Sequence, residues 1–394
     1  MASSRRSNGQ PGLAASRAAA ALGRLLRRAI RSRPGRAVMA TGGIAGAALL
    51  VLVLLAAWRS LETGVRSYAG QPGCDLWVAP RGTDNLVRSG GFLAAAVERK
   101  VRLLADVDGA DPVLRTFFTA SAGRGDAARH LTLLAIAHRG AGALGGPVGM
   151  IAGRAAAGPG EVVLDRAAAH RLGVGVGGEI EVNDEPWRVV GLTRGTNLIA
   201  TQFAFADLAA VEDVTGLWDR ASFLLVRLRP GADADGVARA IAERVPGVAV
   251  FRRDAFVANN LREVNAGFVP LLAVLCTLGL GVAGVLVALL AHGLVEDRRA
   301  DIAVLFALGA APAAVARRVV AHVEGIVVAG SLLGALLSHL LGAALDRALP
   351  TVELAFGLAD ALAVAALLLL AGALGAAVPV VRLERIDPLE AFRP

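Results

Sequence analysis

Ala266–Gly293 reads AGFVPLLAVLCTLGLGVAGVLVALLAHG and contains no Asp, Glu, Lys or Arg. A helix needs about 20 such residues to cross a hydrocarbon core of about 30 Å. Soluble core helices are rarely uncharged over that length, so the stretch reads as a membrane span. Two further runs follow. In Val319–Leu345 the ionisable residues are His322, Glu324 and His339, and Ala361–Val381 is uncharged. A fourth run, Ala37–Ala57, lies near the N-terminus. The expected spans are therefore residues 37–57, 266–293, 319–345 and 361–381.

The chain has 394 residues, is 55% apolar and has a mean hydropathy of +0.58. That is too apolar for one ordinary soluble domain, and long enough for a membrane part plus one globular domain. Much of the net charge of +8 sits beside the apolar runs, which points to membrane topology rather than nucleic acid. Aromatic residues make up 4%, leaving no stacking platform for single-stranded nucleic acid, and no nucleic-acid partner is expected. Cys74 falls in the globular part and Cys276 mid-span, so no disulfide is expected, and neither has a metal-ligand spacing.

Met1–Arg36 is rich in Arg and holds no acid. Leu22, Leu25, Leu26, Ala29 and Ile30 recur at helical spacing, with Arg24, Arg27, Arg28 and Arg31 on the other side. This reads as an amphipathic helix on the membrane surface; the alternative is a solvated basic tail. A cleaved signal peptide competes for Ala37–Ala57. The length of the run, its long basic leader and the lack of a small-x-small site before a turn favour an uncleaved span. Its Arg-rich side is then cytoplasmic, and Trp58 is an interfacial anchor.

Residues 58–265 read as an inserted α+β extracytoplasmic domain. Asp75–Ala79, Phe92–Ala105 and Val113–Phe118 read as strand, helix and strand. The closing section repeats the plan: strand Phe223–Leu228, helix Asp233–Arg244, strand Val248–Phe251. These two β-α-β units are expected to form one subdomain that the chain leaves and re-enters. The insertion between them is strand-rich, with strands at Leu131–Ala137, Glu161–Leu164, Glu179–Val182 and Trp187–Leu192 and a short helix at Arg166–Leu172. Gly173–Gly178 reads as a tight turn rather than a phosphate loop, and His170 as a surface histidine.

Topology follows by counting spans outward from the cytoplasm. The chain is a four-helix transmembrane bundle with both termini cytoplasmic. Residues 294–318 form a cytoplasmic loop whose Arg298, Arg299, Arg317 and Arg318 obey the positive-inside rule. Residues 346–360 form a short outer loop, and 382–394 a cytoplasmic tail.

The loop Val295–Arg318 reads VEDRRADIAVLFALGAAPAAVARR. Asp301–Gly309 suits a short helix along the membrane face, with Ile302, Leu305, Phe306 and Leu308 available to a partner's groove. Glu296, Arg298, Arg299 and Asp301 form a charged rim. Gly309 ends the helix as a C-cap and Pro312 opens the next one. A plain interfacial helix is the other reading of the same residues.

Glu296–Gly325, EDRRADIAVLFALGAAPAAVARRVVAHVEG, resembles the FtsX/MacB-type permeases of ABC transporters, with their charged run, ALGA and basic helix leading to a Glu. The closing RLERIDPLEAFRP at Arg382–Pro394 is similar to the family's terminal signature, and LGRLLRRAIRSRPGRAVMATGGI at Leu22–Ile44 to its entry into the first span. GCDLWVAPRGTDNL at Gly73–Leu86 and the Val163–Val190 section resemble its extracytoplasmic domain. Phe306 stands where a basic residue is common, and Ala313 and Ala314 where a basic pair is frequent. The resemblance implies a bacterial plasma (inner) membrane protein whose cytoplasmic loop, Glu296–Gly309, docks on a separate ABC ATPase subunit. It also implies a second permease copy or paralogue, with a periplasmic adaptor and membrane lipids as further partners.

No catalytic constellation is legible. Lys100 is the only Lys and Val101 follows it, so no Walker A loop is present. ATP is expected on a partner subunit, with no cofactor or metal in this chain. His322 and Glu324 are the intramembrane polar candidates. Glu324 is expected to pair locally with His322 or Arg318 or to pack within the bundle; a transport role is the alternative. With few internal charges, the spans suit a lipophilic or lipid-linked cargo, or mechanical work on an outer partner, better than an ion. A membrane-anchored receptor or scaffold that regulates an outer partner without transport is the competing function.

Overall fold

The computed structural model describes residues 34–86, 90–123, 128–140, 142–198, 201–307, 310–348, 354 and 356–383. The amphipathic segment expected at Leu22–Arg31, Leu308, Gly309 and the tail from Glu384 lie outside the described residues. The chain divides into two compact units. A helical unit takes the chain up to Ala56, Leu271–Leu341 and the chain from Phe356 on; an α+β unit takes Ala57–Pro270 and Gly342–Ala355.

In chain order, α1 (Pro34–Ala69) holds the first apolar run and overruns it. The α+β unit continues with β1 (Leu76–Pro80), β2 (Leu93–Ala94), α2 (Ala95–Arg102), β3 (Val107–Ala122), β4 (Arg129–His138), β5 (Met150–Gly153) and β6 (Glu161–Asp165). Next come α3 (Arg166–Leu172), β7 (Glu179–Val182), β8 (Glu185–Thr193), β9 (Asn197–Leu198), β10 (Thr201–Asp207) and α4 (Leu208–Thr215). It closes with β11 (Arg220–Ala221), β12 (Phe223–Leu228), α5 (Ala234–Arg244) and β13 (Val248–Arg252). Then follow α6 (Arg253–Glu296), α7 (Arg299–Ala307), α8 (Pro312–Ala348) and α9 (Leu358–Leu383). Four of these helices, α1, α6, α8 and α9, are long and apolar enough to cross a membrane.

The two β-α-β repeats interleave. β1 lies between β12 and β13, and β12 between β1 and β3, every pairing antiparallel. Each repeat therefore separates its own strands with one from the other repeat, a split β-α-β arrangement. The helices α2 and α5 share an apolar core with these strands through Val101, Val237 and Ile241. The helix expected from Phe92 begins later, because Leu93 and Ala94 pair with Ala221 and Arg220.

The inserted strands close on themselves. β3 pairs β4, β4 pairs β10, β10 pairs β6, β6 pairs β8, β8 pairs β7, and β7 returns to β3. Side chains alternate across such a wall. Leu133, Ala135 and Ala137 of β4, Ala204 and Ala206 of β10, and Val162 and Leu164 of β6 share one core with Trp187. Leu134, Ile136, Phe203, Phe205 and Val163 lie in a second core with Tyr68, Trp77 and Phe256. Both faces are apolar, which explains near-continuous runs such as Glu161–Asp165 (EVVLD). At Gly173–Gly178 the expected turn is present: Asp165 caps α3 by accepting from Ala167 N, and Gly173 ends it at φ 75°.

In the helical unit, Ile44, Ala48, Val51, Val287, Val323, Val327, Val364 and Leu368 form the buried seam. Two glycines of α8 bring it against α1. A methyl on Gly330 would lie 2.7 Å from Ile44 Cγ2, and one on Gly334 would lie 2.5 Å from Ala48 Cβ and 2.7 Å from Ala45 O. This is small-xxx-small packing, the usual way helices approach closely in lipid.

Candidate functional site

The α6–α8 connection forms a compact hairpin. α6 ends at Glu296, Arg298 N donates to Val295 O at 3.3 Å, and Ile302 N to Arg298 O at 2.8 Å. A tight bend thus leads into α7. Ala310 N donates to Leu305 O at 3.0 Å, turning the chain toward α8, which Pro312 opens.

The residues expected to anchor a partner are placed differently from the reading of the sequence. Ile302 and Leu305 are buried, 2% and 6% exposed. They pack with Val295, Val315 and Val319, and Phe306 lies half-buried against the same cluster. The reason is geometric. A nine-residue helix between two antiparallel helices must cover their ends, and its largest aliphatic side chains fill that corner. The face left outside carries Ala300, Val304 and Ala307, at i, i+4 and i+7, with Val304 46% exposed. Leu308 and Gly309 lie outside the described residues.

The charged rim is present and locally paired. Arg298 Nη1 donates to Asp301 Oδ2 at 3.0 Å, and Arg299 Nη1 lies 3.6 Å from Glu296 Oε1. Arg36 Nη1 holds Asp297 Oδ2 at 2.6 Å, joining the start of α1 to the end of α6. Exposed pairs of this kind contribute little to stability. Glu296 and Arg299 stay exposed beside the Val304 face, and Arg317 and Arg318 are exposed near the start of α8.

Within the spans, Glu324 of α8 has both carboxylate oxygens shielded, and neither accepts a hydrogen bond from the described residues. The local pairing with Arg318 or His322 that the spacing offered is not formed. Glu324 faces α9 instead, where Gly372 makes room: a methyl there would lie 3.1 Å from Glu324 Oε1. His322 is half-buried on the wall of a cavity between α1, α6 and α8. The ring of His339 lies 5.5 Å from Phe356, and its Nδ1 is 3.0 Å from Ala335 O.

Sequence reasoning missed how the α+β unit grips the helix segments that belong to it. Tyr68 of α1 is fully buried, and its hydroxyl donates to Gly145 O at 3.1 Å. Its ring meets Trp77, Phe203 and Phe205. Trp77 stacks on Phe256 of α6 at 4.3 Å and donates from Nε1 to Ala69 O at 3.0 Å. Trp58 Nε1 donates to Asn265 Oδ1 at 3.0 Å, so α1 and α6 are also joined side by side. At the far end of α8, Asp346 Oδ1 accepts from Arg166 Nη2 at 2.6 Å and Arg194 Nη2 at 3.2 Å.

Among the described residues no group of three or more His, Cys, Asp and Glu could hold a metal ion. Cys74 is buried, donates to Leu76 O and is pushed up to about 12 by that burial, so it is not a ready thiolate.

Two family models match the chain. The MacB-like periplasmic core domain matches residues 37–244, and the FtsX-like permease C-terminal domain residues 273–388. No curated protein matches. Among solved structures, the periplasmic region of MacB from Actinobacillus actinomycetemcomitans is similar at 12% identity and a TM-score of 0.37, covering 50% of this chain and 94% of its own. The extracellular domain of the noncanonic ABC-type transporter YknZ from Gram-positive bacteria is similar at 10% identity and a TM-score of 0.34, covering 45% and 98%.

Proposed function

Because the chain belongs to the FtsX/MacB-type family of ABC transporter permeases, we propose that it transmits the motion of a separate ATPase subunit across the membrane to its α+β unit. The observation that carries this reading is the α6–α8 hairpin. α7 is clamped to α6 and α8 by its own core, so a push on it moves both. Its outward face offers a small apolar strip with Val304 at the centre and Glu296 and Arg299 at the rim. A few apolar anchors inside a polar rim are how small interfaces divide their work.

On this reading the loop is cytoplasmic, both termini lie with it on the plasma membrane's inner side, and the α+β unit is extracytoplasmic. ATP is bound by the partner; the chain's only Lys, Lys100, lies on α2 and outside any phosphate loop. α6 presents an exposed apolar face at Val274, Leu278, Val282 and Val285, and a methyl added at Gly281 there would meet no heavy atom within 4 Å. That face suits lipid or a second permease copy, and an assembly of two permeases with two ATPases is proposed. The cargo is lipophilic or lipid-linked, or the work is mechanical, on a periplasmic adaptor or other outer partner. Glu324, shielded beside Gly372 of α9, and His322 are the polar residues of the spans proposed to take part. The test is co-purification of the full chain from its native membrane, with identification of what accompanies it. An ATPase carrying a Walker A motif supports the proposal; an outer partner without any ATPase supports a receptor or scaffold instead.

A further inference from the structure

A cavity of about 550 Å³ opens between the start of α1, the end of α6 and the His322–Ile326 stretch of α8. It is within the usual range for a site that holds a small molecule, about 300–1,000 Å³. Its lining is divided by chemistry. Toward the helix ends lie Arg36, His292 and Arg298 with a single acid, Asp297, and His322 lines the wall further along α8. The rest is apolar, chiefly Met39, Leu286, Leu289, Leu290 and Ile326.

We propose that this cavity holds one anionic glycerophospholipid. The polar end coincides with helix ends, the level at which headgroups lie. From Asp297 back to Leu286 the wall recedes about 16 Å along α6, at about 1.5 Å per residue, which is acyl-chain depth. Two arginines stand at the mouth, each paired with one acid, so their attraction for an anion rests on the guanidinium donors those pairs leave over. Arg36 uses Nη1 on Asp297, and Arg298 uses Nη1 on Asp301. Each guanidinium has further donors for a phosphate, in the planar geometry that favours it. Met39 and Leu289 are 77% and 63% exposed, so a chain can enter sideways from the bilayer while the bundle stays closed. A free phosphate would leave the apolar wall unused, and an apolar peptide would leave the arginines unused. The inference requires only that these helices span a bilayer and is independent of the transport reading.

The test is native mass spectrometry of the full chain in mild detergent, titrated with phosphatidylglycerol or phosphatidylcholine of identical acyl chains. The expected result is one tightly retained phosphatidylglycerol per chain, with phosphatidylcholine held more weakly. Each of R36Q and R298Q should lower retention about fivefold, while the R36K/R298K double variant, which keeps the charge, should retain most of it. Leu290→Trp, which fills the apolar part, should lower retention of both lipids. Equal retention of the two lipids by the wild-type chain, or unchanged phosphatidylglycerol retention in R36Q/R298Q, would overturn the proposal. So would competition by soluble glycerol phosphate as effective as by lipid, which would mark a phosphate site only.

Discussion

Val304 and Leu305 are neighbours in sequence and opposite in placement, and the difference can be measured. Leu305 is buried among Val295, Val315 and Val319, whereas Val304 faces outward. Leu305→Asp puts a charge into the hairpin's own core and should destabilise it by several kcal/mol, roughly 3–5. It should therefore lower folded yield whatever the partner. Val304→Asp should leave yield and thermal stability within about 0.5 kcal/mol, while abolishing ATPase co-purification. Equal losses of yield from both would mean that α7 has no distinct outer face.

Two buried residues of the α+β unit make further predictions. Asp165 is fully buried; one oxygen caps α3 and the other accepts from Thr196 N and Oγ1. Asp165→Ala removes the cap and strands the Thr196 donors, at a cost of about 2–3 kcal/mol in thermal unfolding. His138 is 1% exposed, and its Nδ1 bonds Gly140 O at 3.1 Å. Burial lowers its affinity for a proton below that of a free imidazole, and the weaker pulls of the Gly140 carbonyl, Asp207 and Asp111 do not reverse this. A lowered folded value means the unfolded chain binds the proton better. The stability His138 contributes is thus present above the ordinary value of 6.5 and is lost as pH falls below it. Thermal unfolding between pH 7.5 and 5.5 should show a steeper fall for the wild-type chain than for His138→Gln; parallel falls would contradict this.

At the scale of elements, the spans were legible and their packing was not. Uncharged runs announce a bilayer crossing, but contact depends on which small residues face a neighbour. Gly330 and Gly334 carry the close approach of α8 to α1. Gly42, Gly46 and Gly281, also in the spans, meet no heavy atom within 4 Å. Gly334→Leu should destabilise the bundle by about 1–3 kcal/mol or more, read as a lower unfolding temperature in detergent. Gly281→Leu should leave that temperature unchanged. The inner face of α7 was illegible for a related reason: Ile302–Ala307 is apolar at every position, so no periodicity marks the side that faces in. Tyr68 and Phe256 lie outside the uncharged runs, so the reach of α1 and α6 into the aromatic core of the α+β unit was hidden as well.

For the molecule as a whole, the repeated β-α-β plan could be read from matching strand, helix and turn signals. The interleaving of the repeats, and the closure of the inserted strands through β10, could not. β10 pairs in parallel with β4, far away in the chain, and no local signal specifies such a partner. Sidedness can be tested by labelling. Cysteine placed at Ala242, exposed on α5, and at Ala313, exposed on α8, should label from opposite sides of a sealed membrane. The proposed function stands or falls on whether the outer face of α7 meets an ATPase. A photo-crosslinking amino acid at Val304, in the full chain and its native membrane, probes that contact. An adduct with a Walker A-bearing ATPase is expected from position 304 and none from position 242. No ATPase adduct at 304, or an equal one at 242, would contradict the proposed coupling.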